Sequence, residues 1–302
     1  MVAVTERDLL DPSHLSRIED FSLLAKVVVE GAMPGIHRSL RQGRGNEFFQ
    51  YRPYDPGEDI KVIDWKVFAK REELVAKTFQ EDTNSNLFLV LDTSASMGYK
   101  GEKSNCTKLH YASMLAACFA YIAFRQGDRV GLFAYGEEVQ KRIRPKSGHA
   151  HFGRIVNALG QLKPEGINKH EAAWDQLVGN MPGRSMVVFL SDFLEAEKIL
   201  PERLRFALSS RYDALCLQVL DREEETLPKG DALRFVEMEG SREVSTSPDV
   251  IRSEFGKQMA EFKETLARNL AGASAEFESL LTDQDLGNAM RRFLSLRNRN
   301  VV

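Results

Sequence analysis

Residues Asp92-Thr93-Ser94-Ala95-Ser96 combine one carboxylate with two hydroxyl groups at alternate positions. Alternate side chains point the same way where a chain leaves a strand nearly extended. Asp92, Ser94 and Ser96 can therefore present oxygen atoms to one point. Such hard oxygen ligands suit Mg²⁺ or Mn²⁺, which prefer an octahedral shell partly filled by water. The pentad predicts a divalent-cation site, with the alternative that the serines only cap the following helix.

Three apolar runs end in an acid, and they cover residues 87–92, 185–192 and 213–221. Ligands of an open parallel sheet bind at the carboxyl ends of its strands, so we expect Asp92, Asp192 and Asp221 to converge on one rim. Asp192 is expected to complete the set around Asp92 through a water molecule. A divalent ion held by so few protein charges keeps positive character and can take a carboxylate from a partner as its last ligand.

The elements that must position these acids alternate along the chain. Helices are predicted over 108–125, 151–162, 170–178, 196–209, 249–270 and 284–297, and further strands over 129–135, 139–143 and, at a sheet edge, 233–238. Buried strands that alternate with helices predict an α/β fold, with a doubly wound, mostly parallel sheet and helices on both faces.

The N-terminal part follows another pattern. A helix is predicted over 11–30, because apolar residues recur there at helical spacing. Residues 31–46 are rich in glycine and arginine and are expected to form a loop. A strand is predicted over 74–80, with a turn at 84–85 before the first long apolar run.

Composition limits the classes of function. The 302 residues carry 41 basic and 44 acidic side chains, a net charge of −3, which argues against a protein that coats nucleic acid or an anionic membrane. The longest apolar stretch, 111–124, is too short to span a bilayer. Three widely spaced cysteines favour a reducing compartment. We therefore expect a soluble, cytoplasmic protein without a membrane span.

Several segments together form a recognisable signature. They read EF (47–48), RPYDPGED (52–59), IDW (63–65), LDTSASM (91–97), TKL (107–109) and QGDRVG (126–131). With them the chain resembles the bacterial family called domain of unknown function fifty-eight. The pentad also resembles the metal-ion-dependent adhesion site of von Willebrand factor A domains, which reads DxSxS, then a distant Thr, then a distant Asp.

The resemblance implies a fold and a partner. It implies a von Willebrand factor A-like, Rossmann-type domain over 84–240, an N-terminal helix and strand extension over 1–83, and a C-terminal helical extension over 241–302. Relatives are commonly encoded beside MoxR-type AAA+ ATPases, so the expected partner is such an ATPase or its client, in chaperone-like assembly or metal insertion. By the same resemblance Ser94 and Ser96 would ligate Mg²⁺ or Mn²⁺ directly, and Asp92 and Asp192 largely through waters.

The expected threonine ligand is missing. Residues 165–169 stand where the family pattern places it, and Ile167 falls at the threonine position. Isoleucine cannot ligate a metal, but Asn168 offers an amide oxygen if the loop shifts by one residue. The site is expected either to bind its metal weakly or to persist as a metal-free polar docking patch.

The charged residues of the N-terminal signature have two interpretations. Arg52, Asp59, Asp64 and Lys66 lie among aromatic and aliphatic residues such as Trp65. They either form ion pairs that pin the segment to the sheet, or, with Trp65, form a surface that a partner reads. The residues alone do not decide between these interpretations.

Two other classes of function are weighed against a non-enzymatic interaction module. Asp92 could be the nucleophile of a metal-dependent phosphohydrolase. Haloacid-type phosphatases normally carry a second acid two residues later, where this chain has Ser94, and the phosphate-binding and nucleophile-elbow motifs are absent. Arg38, Arg41 and Arg44 could contact nucleic acid, but no aromatic residues alternate with them. The interaction module is therefore preferred.

Overall fold

The structure is a computed structural model, and it describes residues 15–32, 47–54, 61, 63–80, 86–169, 176, 185–194, 212–230 and 232–299. In chain order its elements are α1 (Phe21–Ala32), β1 (Glu47–Pro53), α2 (Trp65–Arg71), β2 (Val75–Gln80), β3 (Asn86–Asp92), α3 (Lys108–Gln126), β4 (Arg129–Tyr135), β5 (Val139–Lys146), α4 (His149–Gly160), β6 (Ser185–Ser191), β7 (Tyr212–Leu220), α5 (Arg222–Thr226), β8 (Leu233–Val236), β9 (Glu243–Thr246), α6 (Pro248–Ala271), β10 (Ala275–Leu281) and α7 (Leu286–Arg299). A 3₁₀ turn, Ala95–Gly98, lies between β3 and α3.

The central sheet has six strands in the order β10-β7-β6-β3-β4-β5. Neighbouring strands are parallel except for the antiparallel pair β4–β5. The predicted doubly wound, mostly parallel sheet is therefore confirmed. The strand order reverses between β3 and β6, and ligands bind at this switch point in open α/β sheets. Asp92 is the last residue of β3, and Asp192 directly follows β6.

The core lies on both faces of the sheet. Every residue of β3 is buried, and its side chains alternate between two apolar clusters. Leu89 and Leu91 pack in the cluster that includes residues of α1, α3, α4 and α7. Val90 packs on the opposite face with Leu266 and Leu270 of α6. A strand buried on both sides reads as a continuous apolar run, which explains why β3 was predictable.

Helix α3 starts beside the rim and is buried almost all round. The hydroxyl of Thr107 caps it by accepting a hydrogen bond at 3.2 Å from the main-chain N–H of His110. Gly127 ends it in the left-handed conformation, with φ at 79°. The helix therefore has a fixed N-terminus, and its first residue, Lys108, lies at the carboxyl ends of the strands.

Two parts of the predicted topology are wrong. The edge strand expected at 233–238 is β8, which pairs with β9 in a separate two-stranded sheet and alternates between half-buried and exposed residues. The C-terminal segment is not only helical, because β10 lies parallel to β7 at the edge of the central sheet. Acidic residues interrupt the apolar pattern of β10, and one of them, Glu276, pairs with Arg292 at 2.6 Å.

The remaining segments divide into described and masked parts. Strands β1 and β2 form their own antiparallel pair, and β2 coincides with the strand predicted over 74–80. The predicted helices over 170–178 (apart from residue 176) and 196–209, the arginine-rich loop at 33–46 and Asp59 lie outside the described residues. Within the described part of the chain, no helix combines the length and apolarity needed to cross a membrane.

Candidate functional site

The pentad forms a tight turn at the end of β3. Asp92 is fully buried, and its Oδ1 accepts a hydrogen bond at 2.9 Å from the main-chain N–H of Ser94. Ser94 precedes the 3₁₀ turn, but its side chain makes no capping hydrogen bond. Instead, its Oγ lies 3.1 Å from the Oγ of Ser96. The serine hydroxyls therefore face each other, and the Ser94 hydroxyl does not cap the 3₁₀ turn.

The ends of β3 and β6 are joined by two hydrogen bonds. Ser96 Oγ donates to Oδ2 of Asp192 at 2.7 Å. Ser191 Oγ donates to Oδ2 of Asp92 at 2.6 Å. The structure therefore brings Asp92, Ser94, Ser96 and Asp192 together at the switch point. Ser191 was missed by the sequence reasoning, although it directly precedes one of the predicted acids.

The loop 164–169 supplies the fifth predicted residue. Its main chain is bonded to the pentad, since Glu165 N–H donates to the carbonyl of Thr93 and Ala95 N–H donates to the carbonyl of Gly166, both at 2.9 Å. In this register the Asn168 side chain donates through Nδ2 to Oδ2 of Asp92. Ile167 is 42% exposed. Asn168, and not the exposed Ile167, is therefore the residue of this loop whose side chain bonds to Asp92.

Gly136 permits the close packing of these two loops. A Cβ at this position would lie 3.1 Å from the Glu165 carbonyl oxygen and 3.3 Å from the Ser94 nitrogen. Contacts this short require a neighbour to move. The absence of a side chain at position 136 therefore allows the 164–169 loop to pack closely on the pentad.

The two aspartates differ in their ionisation. Burial, reinforced by the negative charge of Asp192, raises the pKa of Asp92 to about 7. Burial also acts to raise the pKa of Asp192, but the nearby ammonium of Lys108 outweighs it, so this pKa is lowered. A site with two carboxylates thus holds one that ionises readily and one that ionises only near neutral pH.

Lys108 is the main functional residue that the sequence reasoning missed. Its fully buried ammonium lies 2.8 Å from Asp192 Oδ2 and 2.6 Å from Glu224 Oε1. Burial acts to lower its pKa, but the two carboxylates more than compensate and raise it. The available signal was a lysine at the start of a helix whose other residues are mostly apolar.

The third strand-end acid has a different role. Asp221 caps α5 and accepts hydrogen bonds at 3.0 Å from the main-chain N–H groups of Glu223 and Gly101. It also accepts from the hydroxyls of Ser104 and Thr282. Asp221 therefore ties the loop after the pentad to β7 and β10, and its bonds do not point to the Asp92 site.

The converging oxygen atoms fit the requirements of Mg²⁺ or Mn²⁺. In an octahedral shell with ligands at about 2.1 Å, neighbouring ligand atoms are about 3 Å apart. The 3.1 Å between the hydroxyls of Ser94 and Ser96, the two predicted direct ligands, is close to that spacing. The buried Oδ1 of Asn168 accepts no hydrogen bond within the described structure. No three His, Cys, Asp or Glu side chains of that same part cluster as metal ligands, so a cation here would depend on hydroxyl and amide oxygens.

The residues predicted to contact a partner through the N-terminal signature lie on other elements. Asp64 is buried, caps α2 by accepting from its second main-chain N–H at 2.9 Å, and accepts the Tyr51 hydroxyl at 2.9 Å. Trp65 is 55% exposed. Arg52 donates to a main-chain carbonyl of β1, and Asp59 lies outside the described residues. The described bonds of Asp64 are structural, and the exposed Trp65 ring lies edge-on to Phe68.

A comparison with family models decides the family. Residues 50–265 match the model described as "Protein of unknown function DUF58". The chain belongs to this family. It is 29% identical over 301 residues to an uncharacterized protein of Mycobacterium tuberculosis, Rv1480, covering 98% of this chain and 93% of that one. It is also 29% identical over 132 residues to the uncharacterized protein YeaD of Bacillus subtilis, covering 43% of this chain and 29% of that one.

One solved structure supports the fold of this DUF58 chain. The conserved hypothetical protein BatB of Bacteroides thetaiotaomicron superposes with a TM-score of 0.50 at 12% identity, over 71% of this chain and 99% of that one. The VWA domain of SpRpn10 superposes with a TM-score of 0.40 at 12% identity, over 69% and 94% of the two chains. The BatB match shows the fold alone, in agreement with the observed strand order.

Proposed function

We propose that this DUF58 chain is a non-enzymatic interaction module that docks a carboxylate of a partner protein at the rim between β3 and β6. One observation carries the proposal: Asp92, Ser94, Ser96, Asn168 and Asp192 come together at the sheet's switch point. Ligand sites of open α/β folds occur at this position. The adhesion sites that the pentad resembles bind partner proteins there.

A divalent cation, Mg²⁺ or Mn²⁺, is part of the proposal. Ser94, Ser96 and the Oδ1 of Asn168 would hold it directly, and the two aspartates would hold it largely through water. The ion would supply a Lewis-acid position that accepts a carboxylate from the partner. Lys108 neutralises part of the charge on Asp192, so the site would bind the ion weakly until the partner's carboxylate completes the shell.

The alternative, a phosphohydrolase with Asp92 as nucleophile, has less support. A nucleophilic oxygen must reach its substrate. Asp92 is fully buried, and each of its carboxylate oxygens accepts a hydrogen bond from the chain. Ser94, at the position of the second phosphatase acid, lies beside another hydroxyl. These contacts favour a docking site over a nucleophile.

We further propose that the partner is a MoxR-type AAA+ ATPase or a client of that ATPase, in chaperone-like assembly or metal insertion. Support comes from the family, in which such ATPases are commonly encoded nearby. An ATPase that remodels clients needs a surface that selects them. A carboxylate-docking rim would provide that selection.

Affinity capture from native lysate tests the proposal. The wild-type chain is used as bait with Mg²⁺ and with EDTA, and the Asp92→Ala variant is used with Mg²⁺. We expect an AAA+ ATPase or its client in the Mg²⁺ sample, and its loss with EDTA and with Asp92→Ala. The matched control is Asp249→Ala, which removes a carboxylate that is 60% exposed on α6 and should leave capture unchanged.

If the ATPase or its client is still captured in EDTA and by the Asp92→Ala variant, the docking surface lies away from this rim. The exposed Trp65 would then be tested next. Release of phosphate from an aryl phosphate by the wild-type chain, abolished by Asp92→Asn, would favour the enzyme instead.

A further inference from the structure

A carboxylate of the chain itself already lies on the proposed docking rim. Glu239 Oε2 accepts the main-chain N–H of Asn168 at 2.8 Å, and Oε1 accepts that of Ser96 at 3.3 Å. Both donors belong to residues whose side chains form the site. The Glu239 carboxylate therefore bridges the pentad loop and the 164–169 loop, although Glu239 is far from both loops in the sequence.

Glu239 lies in the tip, residues 237–242, of the β8–β9 hairpin. The two strands pair with each other and form a sheet separate from the central one. A lone two-stranded hairpin is marginally stable in water. Its exposed Arg234–Glu243 ion pair adds little, since such surface pairs contribute about 1 kcal/mol or less. The hydrogen bonds between the tip and the rim therefore help to fix the position of the hairpin.

Met238, the residue before Glu239, also lies near the rim. The terminal methyl carbon of Met238 lies 3.8 Å from the position that a Cβ on Gly98 would occupy, next to the Pro164 ring. Met238 remains 46% exposed. The tip therefore places an apolar side chain near the 3₁₀ turn and an acidic side chain on the two N–H groups.

We infer that Glu239 is an internal ligand that occupies the rim until a partner displaces it. The partner segment would present the same chemistry, an apolar residue followed by a carboxylate. This inference rests on the proposed function, because it names the ligand and the regulation of that same site. The β8–β9 hairpin is then an autoinhibitory element that sets how much of the protein is open to the partner.

The contacts between Glu239 and the rim are suited to reversible binding. Glu239 is half-buried, and one of its two hydrogen bonds is long. A tethered ligand acts at an effective concentration in the millimolar range. A site that is open for about a tenth of the time binds an added ligand about tenfold more weakly than a permanently open site. Removal of the Glu239 carboxylate should therefore strengthen the binding of an added ligand about tenfold.

Hydrogen exchange tests whether the tip rests on the rim. In Glu239→Ala, the peptides that cover 94–99, 164–169 and 233–246 should exchange faster than in the wild-type chain. The matched control is Glu237→Ala, whose carboxylate accepts a hydrogen bond from Arg242 within the same tip. That variant should leave 94–99 and 164–169 unchanged. Unchanged exchange of these two segments in Glu239→Ala would overturn the inference.

Binding in trans tests the competition. The probe is a fluorescein-labelled synthetic peptide of residues 233–246, followed by anisotropy up to about 1 mM protein, the effective-concentration range of a tethered ligand. We expect it to bind Glu239→Ala about tenfold more tightly than the wild-type or Glu237→Ala chains. The same peptide with alanine in place of its glutamate should bind none of them.

Equal binding to the wild-type and Glu239→Ala chains, or binding to neither, would overturn the inference. These outcomes are distinguishable from failure of the proposed function. Partner capture that still depends on Asp92 and Mg²⁺ would leave the docking rim in place without an internal ligand. Conversely, a tenfold gain in peptide binding with no Asp92-dependent capture would support the internal ligand and overturn the proposed partner.

Discussion

The ammonium of Lys108 lies 2.8 Å from Asp192 Oδ2, the same oxygen that accepts the Ser96 hydroxyl. The rim therefore contains a permanent cation of its own, positioned by the N-terminus of α3. Through this contact Asp192 keeps a lowered pKa although it is buried. One carboxylate of the site is charged at neutral pH without any added metal.

Replacement of Lys108 should be strongly destabilising. Lys108→Met keeps most of the side-chain volume but leaves Asp192 and Glu224 without their buried counter-charge. Breaking a buried pair from one side costs about 3–5 kcal/mol, so the urea midpoint should fall sharply. The control is Lys169→Met, because Lys169 pairs with Glu137 through side chains that are 47% and 50% exposed. That change should cost about 1 kcal/mol or less, and equal losses in the two variants would refute the argument.

Asp92 should make the metal-free protein less stable as the pH rises. Its folded-state pKa of about 7 exceeds its ordinary value of 3.8. A group with a raised pKa contributes stability that is complete below the ordinary value and lost as the pH rises through the folded value. In EDTA, the melting temperature of Asp92→Asn minus that of the wild type should therefore increase from pH 5 to pH 8. A difference that stays constant across this interval would show that Asp92 does not titrate there.

The main sheet was predictable because the residue types of its strands reflect their burial. A strand such as β3, buried on both faces, is almost entirely apolar, and its end is marked by the acid that interrupts the apolar run. The same rule placed Asp92 and Asp192 on one rim. It fails for β10, where the edge position lets Glu276 pair with Arg292 and hides the strand's apolar pattern.

Other parts of the site depend on distant segments that local patterns do not connect. Asp221 ends its strand as Asp192 does, yet its hydrogen bonds go to Gly101, Ser104 and Thr282. Which acids face the same space depends on the loops that pack around each of them. Glu239 was missed for the same reason, since it reaches the rim from a hairpin that the sequence pattern assigned to the sheet edge.

A single hydroxyl of the pentad should control cation binding. Ser96→Ala removes an oxygen that lies 3.1 Å from Ser94 Oγ and 2.7 Å from Asp192 Oδ2. Even groups one shell outside a metal site change affinity by about 10–100-fold, so loss of this oxygen should weaken Mg²⁺ or Mn²⁺ binding about tenfold or more in calorimetric titration. Ser253→Ala, on the exposed face of α6, is the control and should bind as the wild type does. If the wild-type, Ser96→Ala and Ser253→Ala chains bound the cation equally tightly, the cation site would lie elsewhere.

A methyl group at position 136 should separate the loops that build the rim. In Gly136→Ala the new Cβ would lie 3.1 Å from the Glu165 carbonyl oxygen and 3.3 Å from the Ser94 nitrogen. Overpacking of this kind typically costs about 1–3 kcal/mol. The shift would also move Asn168 away from Asp92, so the gain in melting temperature on adding Mg²⁺ should shrink or vanish.

The matched control for that change is Gly153→Ala in α4, where a Cβ has no neighbour within 4 Å. Because alanine favours the helical conformation over glycine by about 1 kcal/mol, this variant should be slightly more stable and should keep the full Mg²⁺ response. If Gly136→Ala also kept the full response while losing stability, the 164–169 loop would not contribute to the cation site, and Asn168 would have to be removed from the ligand set.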